Sequence, residues 1–250
     1  MIRSPDYFVN TSEEKTLRAI TYIDGFNLYF GLRSQGWKRY YWLNIQLLAK
    51  NLLSAGFTLV ATKYFTTYVK GPPDKKKRQS TFIEALRTLS DFEFFFGHYL
   101  TNPYRCHQCG YKEMIPKEKR TDVNIAVEIL TDAYSDRFDV ALLISGDSDL
   151  EPALSKVRNE FPEKQVFVAF PPNRVSKNLE TVAHEVCQIR GTILDRSMFP
   201  DRLVNQSGYE LTRPVQWELN QKPNQNNSRN SWRKLVVCML RGGTKPRKWL

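Results

Sequence analysis

The run Val140-Ala-Leu-Leu-Ile144 constrains this chain more than any other stretch. Five consecutive apolar residues, rich in β-branched and leucine side chains, predict a strand buried on both faces. Such a strand belongs inside a parallel sheet covered by helices on each side. It stops on Ser145-Gly146-Asp147-Ser148-Asp149, and a helical pattern resumes at once. Open α/β sheets gather their ligands at the carboxyl ends of central strands. Asp and Ser also make turns and cap helices well. On this stretch alone, a ligand site and a plain turn stand level.

The rest of the chain repeats the alternation. Thr16–Ile23 reads as a strand that ends on Asp24-Gly25-Phe26-Asn27 and turns into the helical segment Leu28–Leu32. Gly25 permits the tight turn, and Asn27 is placed either to cap the helix or to hold a metal-bound water. A helix is expected over Leu43–Ala55, with Leu43, Leu47, Leu48 and Leu52 on one face, and a long strand over Phe57–Val69. Gly71-Pro72-Pro73-Asp74 breaks that strand and offers Asp74 as the cap of a helix Lys75–Leu89. Phe92–Leu100 is a further strand. A helix opens at Glu118 with an apolar stripe of Val123, Ala126, Val127 and Leu130. Beyond Asp149 come a helix Leu150–Glu160, a strand Gln165–Phe170, a helix Ser176–Val186 capped by Ser176, and a short strand within Cys187–Ile193. This order predicts an α/β fold with a doubly wound, mostly parallel sheet.

In such a sheet the first strand and Val140–Ile144 become neighbours if the chain reverses direction between them. Asp24 and Asp147 then share one sheet edge. Asp122 has to come round from its loop to join them. Carboxylates held this close repel one another, and hard divalent cations offset that repulsion better than water. A set of aspartates without His or Cys points to Mg²⁺ or Mn²⁺, which serves phosphodiester cleavage.

Charge points to the same class of partner. The 250 residues carry 37 Lys and Arg against 26 Asp and Glu, a formal net charge of +11, which favours an anionic partner such as nucleic acid. Residues 200–250 hold 10 of those cations against 3 acids. Gln221–Ser231 has little to bury, and Trp232–Leu250 mixes tryptophan with Arg233, Lys234, Arg247 and Lys248. A basic arm on nucleic acid and a docked terminal helix both fit that composition. Lys75, Lys76, Lys77 and Arg78 stand in a helix's first turn, where cations oppose the helix dipole. Phosphate contact and a solvated charge run account for them equally. Trp37, Tyr40, Tyr41 and Trp42 suit either base stacking or aromatic cover of the core. Met1–Ile20 has no signal-peptide pattern, and no apolar run approaches the roughly 20 residues of a membrane span. A cytoplasmic protein without membrane contact is expected.

Residues 101–117 read as an irregular insertion around Cys106-His107-Gln108-Cys109-Gly110. CxxC followed by Gly is half of a structural zinc site. A complete site would draw on His98 or on a second copy of the chain in a homodimer; a thiol pair without metal is the alternative.

Three segments carry a family resemblance: Thr21-Tyr-Ile-Asp24-Gly-Phe-Asn27-Leu, Glu118-Lys-Arg-Thr-Asp122-Val-Asn-Ile, and Leu143-Ile-Ser-Gly-Asp147-Ser-Asp149-Leu. In this order they resemble the signature segments of the NYN domain, the LabA-like branch of the PIN-like nuclease superfamily. The resemblance covers roughly residues 16–195. It implies a PIN-like three-layer α/β/α sandwich, taken over residues 16–199; composition and charge alone make residues 1–15 a lead-in and residues 200–250 a basic, partly flexible extension. It also implies metal-dependent ribonuclease activity. Asp24, Asp122 and Asp147 are then the Mg²⁺ or Mn²⁺ ligands, Asp149 an outer ligand or water positioner, and Asn27 and Ser145 the residues that orient the site. RNA is the expected substrate, with DNA still open. A catalytically inactive RNA- or DNA-binding regulator on the same fold is the alternative; a phosphohydrolase of small nucleotides leaves the basic tail without a task. Elemental analysis tests the cysteine pair: a zinc site predicts bound zinc that is lost in Cys106→Ser, and a metal-free thiol pair predicts none in either protein.

Overall fold

A computed structural model of the protein describes residues 7–8, 16–53, 55–105 and 109–218. In chain order the first half holds β1 (Leu17–Asp24), α1 (Gly25–Ser34), α2 (Ile45–Leu52), β2 (Phe57–Thr66), α3 (Pro73–Leu86) and β3 (Phe92–Phe96). Then come β4 (His98–Arg105), β5 (Lys112–Lys119), α4 (Thr121–Tyr134), β6 (Val140–Ile144), α5 (Glu151–Glu160) and β7 (Gln165–Phe170). The described chain ends through α6 (Lys177–Val182), β8 (Glu185–Gln188), α7 (Gly191–Asp195), β9 (Arg202–Val204) and β10 (Glu210–Thr212).

Six strands form one sheet in the order β3-β2-β1-β6-β7-β8, and every pairing within it is parallel. The centre is β6, all five of whose residues are buried. Its side chains alternate between two cores, as a period of two demands. Val140, Leu142 and Ile144 pack with Leu28 and Leu32 of α1, Leu48 and Leu52 of α2, Leu86 of α3 and Ile193 of α7. Ala141 and Leu143 face the opposite way, toward Ile125 and Ile129 of α4, Leu154 of α5 and Leu179 of α6. Helices therefore cover both faces of the sheet, the three-layer α/β/α arrangement expected from the sequence.

Several local readings change. The buried line of α4 is Thr121, Ile125, Ile129 and Ala133, whereas Val123 and Val127 are 64% and 51% exposed. The expected stripe was rotated because α4 is apolar on more than one side. Polar Thr121 and Asp132 also interrupt the line that is in fact buried. Leu43 lies outside α2, whose cap is Asn44 accepting from the Leu47 N–H, and Leu47 is half-buried. Asp74 does not cap α3: Pro72 and Pro73 set the helix start, and Asp74 accepts from Arg78 one turn on (2.7 Å). Ser176 is the N-cap of α6 as read, but that helix ends at Val182 and the last sheet strand is Glu185–Gln188. The expected strand Phe92–Leu100 is divided between β3 and β4, and residues 101–117, expected to be irregular, contribute to a two-stranded ribbon of β4 and β5 that belongs to a second compact unit. The main unit continues to Glu218. There Trp217 packs against Tyr41, Trp42 and Phe82, so Trp42 and its neighbours line the core. Tyr40 and Trp42 are buried, with hydrogen bonds to Asp195 (2.9 Å) and the Pro200 carbonyl (2.8 Å). No described helix is long and apolar enough to cross a membrane.

One buried ionic network locks α4 onto the sheet. Lys63 lies mid-way along β2 with a side chain only 1% exposed. Its ammonium reaches Glu128 (2.6 Å) and Asp132 (2.7 Å) of α4, while the Tyr22 hydroxyl (2.7 Å) and Arg137 (2.9 Å) also donate to Asp132. Removing one member of such a set leaves an uncompensated buried charge. Lys63→Met should lower the unfolding free energy by about 3–5 kcal/mol in urea denaturation. Adding Asp132→Asn should recover part of that loss.

Candidate active site

Asp24 is the last residue of β1 and the N-cap of α1. Its extended backbone (φ −73°, ψ 100°) lets Oδ1 accept from the Asn27 N–H at 2.9 Å. Only 4% of the residue is exposed.

The register of β1 on β6 fixes its neighbour. Ile23 pairs with Ile144, so the next residues, Asp24 and Ser145, leave the sheet side by side. The buried Ser145 hydroxyl donates to Asp24 Oδ2 (3.0 Å) and accepts from the Asp147 N–H (3.1 Å). Asn27 Oδ1 accepts from the Gly146 N–H (3.0 Å), which ties α1 to the turn after β6. Asp147 caps the short 3₁₀ turn Ser148–Leu150 through the Asp149 N–H (3.0 Å). Gly146 cannot carry a side chain: a Cβ there would lie 2.0 Å from the Arg174 carbonyl oxygen.

Asp122 arrives without any detour. Helix α4 precedes β6 and runs against the strand direction, so its first turn already stands at the carboxyl edge. Arg120 makes the abrupt entry at φ 80°, a left-handed conformation unusual outside glycine. The carboxylates of Asp24, Asp122 and Asp147 each place an oxygen within 4.8 Å of the others. Burial pushes the Asp24 carboxyl from 3.8 up to about 7, and the charges of Asp122 and Asp147 push the same way. The Asn27 N–H and the Ser145 hydroxyl oppose the shift without cancelling it. An all-oxygen, triply acidic cluster with one desolvated member has the chemistry of a hard divalent cation site.

The remaining sequence candidates fall in different places. Asp149 is exposed, and its backbone rather than its carboxylate joins the network. Because α3 starts at Pro73 rather than Lys75, Lys75 and Lys76 close its first turn and Lys77 and Arg78 enter the second; the three lysines are exposed, and Arg78 is half-buried beside Asp74. Cys109 is exposed in the turn of the ribbon, and His98 starts β4. Cys106, Arg233, Lys234, Arg247 and Lys248 lie outside the described residues. The close packing of Gly146 on Arg174 went unread in the sequence. Its signal was present as a glycine at the end of a fully buried strand, which marks close backbone approach.

The sequence matches the family described as NYN domain over residues 18–190. It is similar to 6-hydroxy-3-succinoylpyridine 3-monooxygenase HspA of Pseudomonas putida (strain DSM 28022 / S16). The two are 28% identical where aligned, covering 58% of this chain and 57% of that protein, so this chain spans little more than half of that relative's length. Among solved structures, a protein of unknown function, VPA0982 from Vibrio parahaemolyticus RIMD 2210633, superimposes with a TM-score of 0.47. It is 17% identical, and the match covers 76% of this chain and 100% of that one.

The raised Asp24 carboxyl gives the metal-free fold a pH signature. Between 3.8 and about 7 the folded protein keeps a proton that the unfolded chain has released, so stability falls as pH rises through that window. Thermal melts in EDTA should show this decline from about pH 4 to about pH 8. Asp24→Asn should flatten the profile and raise the midpoint at the alkaline end. Mn²⁺ should stabilise the wild type there and leave Asp24→Asn nearly unmoved.

Proposed function

The chain belongs to the NYN-domain family, a PIN-like nuclease family, and from that premise we propose that it is a Mg²⁺- or Mn²⁺-dependent ribonuclease cleaving RNA internally. The observation that carries this reading is the set of three carboxylates within 4.8 Å of one another at the carboxyl edge of the sheet. Asp24, Asp122 and Asp147 would hold the ion. A bound divalent cation supplies charge neutralisation at the phosphate and an activated water for attack.

The chain's own groups set the geometry. Ser145 holds the Asp24 carboxylate and the Asp147 backbone in one hydrogen-bonded chain. Asn27 fixes the turn at Gly146, so the two strand ends keep their spacing when charge builds at the phosphate. Asp149, exposed beside Asp147, would position water at the rim. The cations Lys75, Lys76, Lys77 and Arg78 head α3, the helix that follows β2, and so stand at the carboxyl edge. They would meet the phosphates of a polyanion that the acidic centre alone repels.

Purified protein incubated with single-stranded RNA and Mn²⁺ should cleave it, and EDTA should stop the reaction. Asp147→Asn should lose at least about 100-fold in rate, as when one electrostatic stabiliser of a transition state is removed. Asp149→Asn should lose less. Cleavage by Asp147→Asn at the wild-type rate would refute the assignment of the site. RNA or DNA binding without cleavage in any divalent metal would instead favour the inactive regulator. Matched DNA strands measure the preference for RNA.

A further inference from the structure

Helix α1 presents an aromatic ring with two guanidinium groups near it, one turn beyond the site residue Asn27. Phe30 is 39% exposed. The guanidinium carbons of Arg33 and Arg174 each lie 6.0 Å from its ring centroid. Neither guanidinium has a carboxylate partner among the described residues. Phe26, preceding Asn27 on the same helix, stacks on Phe30 with ring centroids 6.2 Å apart.

The cluster is joined to the acidic centre from two directions. On one side, Asn27 binds the Gly146 N–H, and Phe30 follows Asn27 by three residues on the same helix face. On the other, the Arg174 carbonyl packs directly against Gly146, next to Asp147. The loop that carries Arg174 is held to α1 along its length. A Cβ on Gly31 would lie 2.9 Å from the Pro172 carbonyl, and the Asn173 amide donates to Ser34 Oγ (3.2 Å). A turn hydrogen bond from the Arg174 N–H to the Pro171 carbonyl (3.0 Å) closes the loop. The ring and its two neighbouring cations are thus held on a support tied together by close contacts and hydrogen bonds, and Phe30 is not part of either core.

We infer that Phe30, Arg33 and Arg174 form a subsite for the nucleotide adjoining the scissile phosphate of a single-stranded RNA. The base stacks on Phe30, and the guanidinium groups take the flanking phosphate. Stacking on an aromatic ring works for any base, so the subsite gives affinity and register rather than sequence choice. Arginine suits the second task because its planar fork matches phosphate oxygens. Two cations at the rim also draw the polyanion over a centre that is acidic until a metal binds. This subsite rests on the ribonuclease reading for its purpose, but its binding role is measurable without catalysis.

The test uses the full-length protein in EDTA and a fluorescein-labelled oligouridylate of about ten nucleotides, read by anisotropy across a salt series. Phe30→Ala should weaken binding about tenfold, while Phe30→Trp keeps it. Arg174→Ala should weaken binding about tenfold and reduce the magnitude of the log–log salt slope by about 0.7; Arg174→Lys should keep the slope. Melting midpoints of all four variants should match wild type, since both side chains project from the packed core. Binding by both alanine variants within about twofold of wild type overturns the subsite, as does a wild type that binds no RNA. With Mn²⁺ added, the alanine variants should raise KM and leave kcat nearly unchanged. Loss of kcat alone would assign the cluster a structural role and also overturn the inference. A wild type that binds in EDTA but never cleaves refutes the ribonuclease reading and leaves the subsite standing.

Discussion

Everything at the candidate site depends on one parallel pairing, β1 on β6, in the register Ala19 with Val140 through Ile23 with Ile144. A slip of one residue would turn every side chain of β6 to the opposite core and separate Asp24 from Ser145. The two cores guard against this, because β6 is packed tightly on both faces and has no spare side. The carboxylates are thus positioned by the hydrophobic pattern of the strands beneath them. The loops above only trim the geometry, through Ser145, Asn27 and the bare backbone of Gly146.

Two sets of buried charge are treated in opposite ways within this frame. Lys63, Asp132, Glu128 and Arg137 form a network in which each ionised group has a partner of opposite sign. It anchors the body of α4 on β2, while the first turn of the same helix carries Asp122 to the sheet edge. At that edge three carboxylates come together, and burial raises the Asp24 carboxyl above its ordinary value. One helix thus carries a charge-paired anchor along its body and one member of a carboxylate cluster in its first turn.

Much of this was legible in the chain itself. The continuous run Val140–Ile144, the strand ending on Asp24, and Asp122 in a helix's first turn identify the fold class and the three acids. What the sequence could not give was the face of α4, because apolar residues surround that helix and two polar residues lie on its buried line. The ribbon at residues 100–117 was hidden for a related reason. Its strands are polar, so they show no alternation to read. The aromatic group Trp37–Trp42 had two uses on paper. The packing of Trp217 against Trp42 and Tyr41 decides for the core, and no local pattern foretells a contact across so many residues. The platform around Phe30 likewise joins α1 to a loop far along the chain.

The hydrogen bond from Ser145 to Asp24 spans 121 positions. Closing so long a loop costs entropy before any contact repays it, and such pairings form late in folding. A chain that is still being synthesised therefore carries Asp24 beside β2 well before Ser145 can meet it. Only when β6 has emerged and docked do three carboxylates meet. Any cation-dependent chemistry at this edge is withheld from the nascent polypeptide, and it vanishes together with the sheet when the protein unfolds.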